Sequence, residues 1–180
     1  MQDPRYPIGK YEPQPYSEAQ KKIWLQDIQF LPQLLELAIE KLSDTQLNTP
    51  YRDGGWTVRQ LVHHVADSHM NAYIRFRLGL TETNPTIRPY DEKEWALLAD
   101  IEKIPVNISI TLLYALHTRW HATIRDLSKD DWMSKTVVHP EHGKQMTLWH
   151  LLGMYAWHGK HHLTHVTALK EKMGWQEEAS

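Results

Sequence analysis

Four long segments of this 180-residue chain repeat their apolar residues at the spacing of an amphipathic helix, which constrains the fold more than any other feature. In the third segment, the apolar residues at intervals of three and four are Leu113, Leu116, Trp120, Ile124 and Leu127. The four segments cover residues 17–43, 57–81, 109–128 and 147–173. Each helix has to bury its apolar stripe against another helix, so the pattern predicts an all-α protein, a four-helix up-and-down bundle.

Local signals mark several helix ends. Ser17 and Thr57 are each followed three residues later by a glutamine, which is the pattern of a capping box. Gly174 follows two nearby lysines and is expected to end the fourth helix. Pro32 lies inside the first helix, where a proline lacks the amide donor and clashes with the preceding turn. We therefore expect the first helix to be kinked or divided at this proline.

The segments that connect the helices differ in kind. Residues 1–16 hold four prolines and three tyrosines and are expected to form an extended N-terminal segment. Residues 82–106 place three prolines around a short amphipathic piece at 91–99, which predicts a long crossover between helices two and three. Short runs at 136–138 and 145–147 favour a small hairpin.

Composition excludes several classes of protein. The length suits a single domain over residues 1–180. Twenty basic against 22 acidic residues leave a net charge of −2, so no basic excess is available for nucleic acid. No apolar run approaches the roughly 20 residues of a membrane span, and the N-terminus lacks the apolar core of a signal peptide, so we expect a cytoplasmic protein. The chain has no cysteine, which excludes disulfides, a cysteine nucleophile and thiolate metal ligands.

Histidine is abundant, with 12 residues, and four of them lie within 158–165. Residues four apart share a helix face with their Cβ atoms roughly 5–6 Å apart, so two imidazoles with this spacing can chelate one metal ion. The pairs His158 with His162 and His161 with His165 have the spacing, and they point about 100° apart around the helix. Only one pair can face the core. The apolar stripe of the fourth helix continues through His158 and His162, so we expect this pair to face the core. The alternative is that these histidines form an ordinary polar helix face that binds no metal.

A third ligand is expected from the second helix, because metal sites in bundle cores combine side chains of facing helices. His63 and His64 are available there, and His64 is the better candidate because it borders the buried stripe, whereas His63 is in line with Arg59. Three imidazoles leave one position of a zinc ion open for water or substrate, which is typical of a catalytic site. We expect one divalent metal per chain, zinc first, with nickel, manganese or iron as alternatives.

These motifs resemble the DinB/YfiT-like family of metal-dependent enzymes over nearly the whole chain. The similar segments are YPIG (6–9), YRDGGW (51–56), WTVRQLVHH (56–64), HVADSHM (64–70), RPYDEK (88–93), WHGKHH (157–162) and MGW (173–175). The resemblance implies a four-helix bundle that is often a homodimer, and a divalent metal bound by His64, His158 and His162.

The resemblance also implies an activity, either hydrolysis or transfer of the small thiol bacillithiol. Since the chain has no cysteine, such a thiol comes from outside. Four arginines in or beside the similar segments are candidate contacts for an anionic thiol, although each has the alternative of a solvated surface charge: Arg52, Arg59, Arg75 and Arg88. Asp67, one turn after His64, is a candidate acceptor that fixes an imidazole tautomer, with a surface carboxylate as the alternative.

Three hypotheses about function follow. The leading one is a metal-dependent transferase that joins a low-molecular-weight thiol to an electrophile. Its rival is a metal-dependent hydrolase that uses metal-bound hydroxide on a hydrolysable substrate. The third is a dimeric bundle that binds metal without catalysis, since a fold alone does not imply a function.

Overall fold

The computed structural model describes residues 3–140 and 143–175 and confirms the four-helix bundle. None of the described helices is long and apolar enough to span a membrane. In chain order the elements are α1 (Glu18–Ile39), α2 (Asp44–Leu47), α3 (Val58–Thr81), α4 (Glu92–Trp95), α5 (Ala99–Lys103), α6 (Val106–Ile124), α7 (Lys129–Ser134), β1 (Thr136–His139), β2 (Lys144–Thr147) and α8 (Leu148–Lys172). The four long helices α1, α3, α6 and α8 form the bundle.

The order of the helices around the bundle differs from their order in the sequence. Helix α1 packs against α6 and α8, and α3 packs against the same two helices. The pair α1 and α3 therefore lies across one diagonal of the bundle, and the pair α6 and α8 lies across the other. This arrangement makes α3 and α8 neighbours, although more than 60 residues separate them along the chain.

The expected division of the first helix at Pro32 does not occur, because α1 runs without interruption from Glu18 to Ile39. In a regular helix the carbonyl oxygen of Ile28 accepts the amide hydrogen of residue 32, which a proline lacks. The Nδ1 atom of His117 on α6 donates to this carbonyl instead. The helix ends before the predicted residue 43, since Ser43 caps the separate helix α2.

The long crossover between α3 and α6 contains two short helices, α4 and α5, instead of the single one predicted. Helix α6 begins directly after Pro105, three residues earlier than predicted, because proline is well suited to a helix start. It ends at Ile124 rather than 128, since Ser128 forms a capping box with Asp131 at the start of α7. Helix α7 was not predicted from the sequence.

The predicted hairpin is confirmed. Strands β1 and β2 pair antiparallel, with Thr136 opposite Thr147 and His139 opposite Lys144. Residues 141 and 142 of the predicted turn lie outside the described residues. The crossover is attached to this hairpin, because the amide of Val138 donates to Pro85 and the amide of Ile87 donates back to Val138, both at 2.9 Å.

Residues 3–17 form no helix or strand and lie along α8. The indole nitrogens of Trp149 and Trp157 donate to the carbonyls of Gln14 and Gly9 at 2.7 and 3.1 Å. The segment therefore contacts the helix that carries the histidine cluster.

Helices α1 and α8 approach closely at Gly159. A Cβ atom at this position would lie 2.7 Å from Cδ2 of Leu31, a distance that a real Cβ does not tolerate. A glycine inside a helix costs about 1 kcal/mol relative to alanine. Here it allows α1 to pack beside His158.

Candidate metal centre

Two neighbouring helices carry the three histidines that the sequence predicts as metal ligands. His64 lies in the second turn of α3, whose start is fixed by the capping box of Thr57 and Gln60. His158 and His162 lie one turn apart on α8, whose start is fixed by the hydroxyl of Thr147. In both helices, the face that meets the neighbouring helix carries the predicted ligands: His64 on α3, and His158 and His162 on α8.

The three imidazoles converge through their Nε2 atoms. The Nε2 atom of His158 lies 3.3 Å from Nε2 of His64 and 3.2 Å from Nε2 of His162. One ligand atom of each histidine lies within 4.8 Å of the others. Two nitrogen ligands of a tetrahedral zinc ion, each about 2.0–2.1 Å from the metal, are about 3.3–3.4 Å apart. The residues present therefore fit a divalent cation, and their assignment as ligands remains a prediction.

The protonation state of the three rings suits metal binding. Burial, followed by the neighbouring His161, lowers the pKa of His64 to about 4. Burial and the surrounding histidines hold the pKa values of His158 and His162 well below the ordinary value. All three imidazoles are therefore neutral at pH 7, with lone pairs available, which is the form that binds a metal.

Two further histidines, His69 and His117, extend this cluster into the core, and sequence reasoning missed them. The Nε2 atom of His69 lies 3.2 Å from Nδ1 of His158, and its Nδ1 lies 3.0 Å from Nε2 of His117. Both rings are fully buried. His69 occurs within the segment that resembles the family, but its five-residue spacing from His64 is not a ligand spacing. His117 shares α6 with His121 at a four-residue spacing and lies between Leu113 and Trp120 on the apolar stripe of that helix, a signal from which its burial could have been predicted.

Asp67 does not take the role predicted for it. In the described structure its carboxylate makes no hydrogen bond to His64, His158 or His162, and the partner of His158 Nδ1 is His69. Burial, followed by the nearby carboxylate of Asp100, raises the pKa of Asp67 to about 6.

The second histidine pair of α8 is buried as well, contrary to the expectation that only one pair can face inward. His161 and His165 are 8 % and 4 % exposed, with their Nε2 atoms 3.2 Å apart. Trp157 of α8 stacks on His161 at 4.6 Å between centroids, whereas Tyr51 and Tyr6, from outside the four long helices, lie 4.2 Å from His165 and 6.1 Å from His161. The part of the cover that Tyr6 and Tyr51 provide could not be predicted from helix periodicity. Within residues 3–140 and 143–175, only the cluster around His158 assembles three possible ligands.

A cleft of about 490 Å³ opens beside the three histidines. Its walls combine aromatic, thioether and charged side chains, among them Trp56, Arg75, Tyr90, Glu92, Met146, Met154 and Trp157. The ring of Trp56 lies 4.6 Å from that of His64, measured between centroids. The candidate metal centre is therefore reachable from a pocket large enough for a small molecule.

The arginines proposed as substrate contacts have different positions and partners in the structure. Arg59 is buried and pairs with Asp44 at 2.8 Å, so it anchors α2 to α3. Arg75 lines the cleft, where it donates to the hydroxyl of Tyr155 at 2.6 Å and to the carbonyl of Arg88 at 3.1 Å. Arg75 is thus the arginine that combines a position in the cleft with contacts that fix its guanidinium.

Comparisons with known proteins agree with this arrangement of helices. The sequence profile of the DinB superfamily matches residues 28–166, which is most of the chain. The chain belongs to the DinB superfamily. Among its relatives, a protein of Bacillus cereus (strain 03BB102), named as a candidate metal-dependent hydrolase, is 51% identical over 176 residues, 97% of this chain and 100% of the relative.

YfiT of Bacillus subtilis (strain 168) is a DinB superfamily relative with the same description, 50% identical over 171 residues, 94% of this chain and 96% of YfiT. A solved structure of YfiT, described as having an unusual four-helix bundle topology, superimposes with a TM-score of 0.92 at 49% identity and covers 96% and 99% of the two chains. The four-helix bundle protein TT2238 shares the fold alone, with a TM-score of 0.53 at 21% identity over 82% of this chain and 98% of TT2238.

Proposed function

We propose that this protein is a metal-dependent enzyme in which His64, His158 and His162 hold one divalent cation at the wall of the cleft. The observation that carries the proposal is the convergence of three neutral imidazole nitrogens beside a cavity of about 490 Å³. When bound, the cation supplies an acidic position at which a thiol or a water molecule loses its proton at neutral pH. Zinc is the first choice for an all-histidine set. Names of the YfiT relatives support a metal-dependent reaction.

The cleft favours an amphipathic substrate with a negative charge. Arg75 lines the cleft and uses one hydrogen of each terminal guanidinium nitrogen for Tyr155 and Arg88, which leaves each of these nitrogens a second hydrogen. An anionic group of the substrate can accept a charge-assisted hydrogen bond from one of them. Met146 and Met154 line the same cleft with soft apolar surface that suits the remainder of the ligand.

We propose a low-molecular-weight thiol as the nucleophile. Hydrolysis requires a group that moves a second proton to the leaving group, and among the described residues that line the cleft the candidates are the carboxylate of Glu92 and the imidazoles of His139 and His161. Glu92 is exposed to solvent. Thiol transfer needs a single proton loss: the thiol releases its proton to solvent, sulfur bonds to the electrophilic carbon, and the leaving group departs with its electron pair.

Hydrolysis is the second candidate function, because the relatives are named as candidate hydrolases and Glu92 lies within the cleft. In this reaction Glu92 would accept the proton of the attacking water and return it to the leaving group.

An assay with two arms separates the two reactions. Zinc-loaded protein is given a panel of anionic and neutral thiols with 1-chloro-2,4-dinitrobenzene, and separately p-nitrophenyl esters without thiol. We expect thiol-dependent release of chloride that a chelator abolishes. Ester hydrolysis without any thiol-dependent product would replace thiol transfer by hydrolysis, and the absence of both would contradict an enzyme that uses these substrate classes.

Arg75→Met tests the proposed contact with the anion. Loss of one charge-assisted hydrogen bond is expected to raise KM for an anionic thiol about tenfold or more, with little change in KM for a neutral thiol. Arg77→Met is the matched control, because Arg77 is an exposed arginine of the same helix that bonds to Tyr73. Equal KM values in the two variants would show that Arg75 does not bind the substrate.

A further inference from the structure

A row of three histidines, His117, His69 and His158, connects the backbone of α1 to the candidate metal centre. It begins at the carbonyl oxygen of Ile28, which has no amide partner at Pro32 and accepts from Nδ1 of His117. A carbonyl can only accept a hydrogen bond, so the hydrogen in this contact belongs to His117 Nδ1. The backbone carbonyl of Ile28 therefore fixes one hydrogen of His117 on Nδ1.

The direction of this first hydrogen bond determines which atom donates in the next two. A neutral His117 with its hydrogen on Nδ1 has a lone pair on Nε2, so His69 must donate from Nδ1 across the 3.0 Å contact. His69 then has its lone pair on Nε2 and accepts from Nδ1 of His158 at 3.2 Å. His158 is left with a lone pair on Nε2, the atom that faces Nε2 of His64 and of His162.

We propose that His117 and His69 are positioning residues that hold His158 in its Nδ1–H tautomer, with Nε2 free to bind a metal. The inference deepens the proposed function and rests on the metal site described there. Without these partners, His158 could place its hydrogen on Nε2, and that tautomer cannot act as a ligand through Nε2. Outer partners of this kind also orient the ligand ring and raise its basicity.

The buried, apolar surroundings of these histidines maintain the donor-to-acceptor direction of their hydrogen bonds. His69 and His117 are 0 % and 1 % exposed, so bulk water does not compete for their nitrogens. The edges of Trp120 and Tyr155 pack around the ring of His69, with centroids 5.7 Å away in each case. The opposite direction would require an imidazolium at His117 in this apolar environment, where an unpaired charge is unfavourable.

The direct test is the tautomeric state of the metal-free protein. Nitrogen-15 NMR of histidine-labelled protein at neutral pH, with chelator present, distinguishes Nδ1–H from Nε2–H in each ring. We expect His117, His69 and His158 all to carry hydrogen on Nδ1. A hydrogen on Nε2 of His158 would overturn the proposal, and this measurement requires no variant to fold.

Metal affinity provides the second test. His69→Phe is expected to weaken zinc binding about 10–100-fold, measured by competition with a chromophoric chelator. His69→Gln keeps one acceptor and one donor and should recover most of the affinity. The matched control is His63→Phe, since His63 is a buried histidine of the same helix that bonds to Ser109 instead.

The outcomes separate this inference from the proposed function. If wild-type protein binds zinc and His69→Phe binds it as tightly as His63→Phe, the positioning role is wrong and the metal site stands. If wild-type protein binds no divalent metal, the proposed function fails, whereas the NMR measurement still decides the tautomers.

Discussion

His158→Ala and His162→Ala variants are expected to lose divalent metal that the wild-type protein retains through gel filtration. Each substitution removes one of three converging nitrogens, so the affinity should fall by more than the roughly 10–100-fold that loss of an outer partner costs. The measurement is elemental analysis of protein loaded with zinc, nickel or manganese.

The chain provides a matched control for these variants. His161→Ala makes the same substitution at a buried histidine of the same helix, next to His162 in the sequence, and should keep the metal. If His161→Ala loses metal as completely as His162→Ala, the assignment of the ligands is wrong.

Metal-free protein is expected to lose stability steeply as the pH falls from about 6.5 to 4. Burial lowers the pKa of His117 to about 4, whereas its pKa in the unfolded chain is about 6.5. Between these two values the unfolded chain binds the proton and the folded protein does not, so the free energy of unfolding decreases with decreasing pH. For His117 alone this amounts to about 3 kcal/mol.

Nine further described histidines act in the same direction, five of them with large shifts. Burial lowers the pKa of His64 and of His165 to about 4, and lowers those of His69, His158 and His162 well below the ordinary value. Asp67 opposes them, because its raised pKa lets the folded protein bind a proton first. A loss of several kcal/mol is large against the 5–15 kcal/mol that usually separates folded from unfolded protein.

Urea denaturation between pH 7.5 and 4.5 with chelator present measures this effect. The slope of unfolding free energy against pH counts the protons taken up, and we expect about five near pH 5. Excess zinc should shift the loss of stability to lower pH, because only the folded, neutral histidines bind it. A free energy that stays constant over this range would contradict the buried neutral state of the cluster.

The sequence predicts the four long helices well, because a periodic apolar stripe is a property of each segment alone. It does not predict which helices become neighbours. The stripe of α1 has to face inward, but its spacing carries no information on whether it meets α3 or α6. Helix α1 also remains undivided at Pro32, where a histidine 89 residues after Ile28 in sequence supplies the hydrogen-bond donor that the Ile28 carbonyl lacks. Such a long-range partner is invisible to local patterns.

The convergence of His64, His158 and His162 was predictable because these residues continue or border an apolar stripe at a recognisable spacing. The remainder of the cluster was not. The spacing of His117 on α6 does not show that it meets His69 of another helix, and His161 and His165 are covered in part by Tyr6 and Tyr51, which belong to no stripe. The surroundings of Asp67 likewise depend on how α3 packs against α5, because Asp100 of α5 adds to the effect of burial in raising the pKa of Asp67.

His64 and His158 lie 94 residues apart in sequence, and they face each other across α3 and α8. A cation shared by these two side chains would close a large loop of the chain, as a disulfide does in other proteins, in a sequence that has no cysteine. Unlike a disulfide, this crosslink is reversible, and its strength follows the surrounding metal concentration. Free metal at 1,000 times its Kd adds about 4 kcal/mol to the stability of the folded state. Metal limitation would then shorten the lifetime of the folded chain and so lower the amount of protein present.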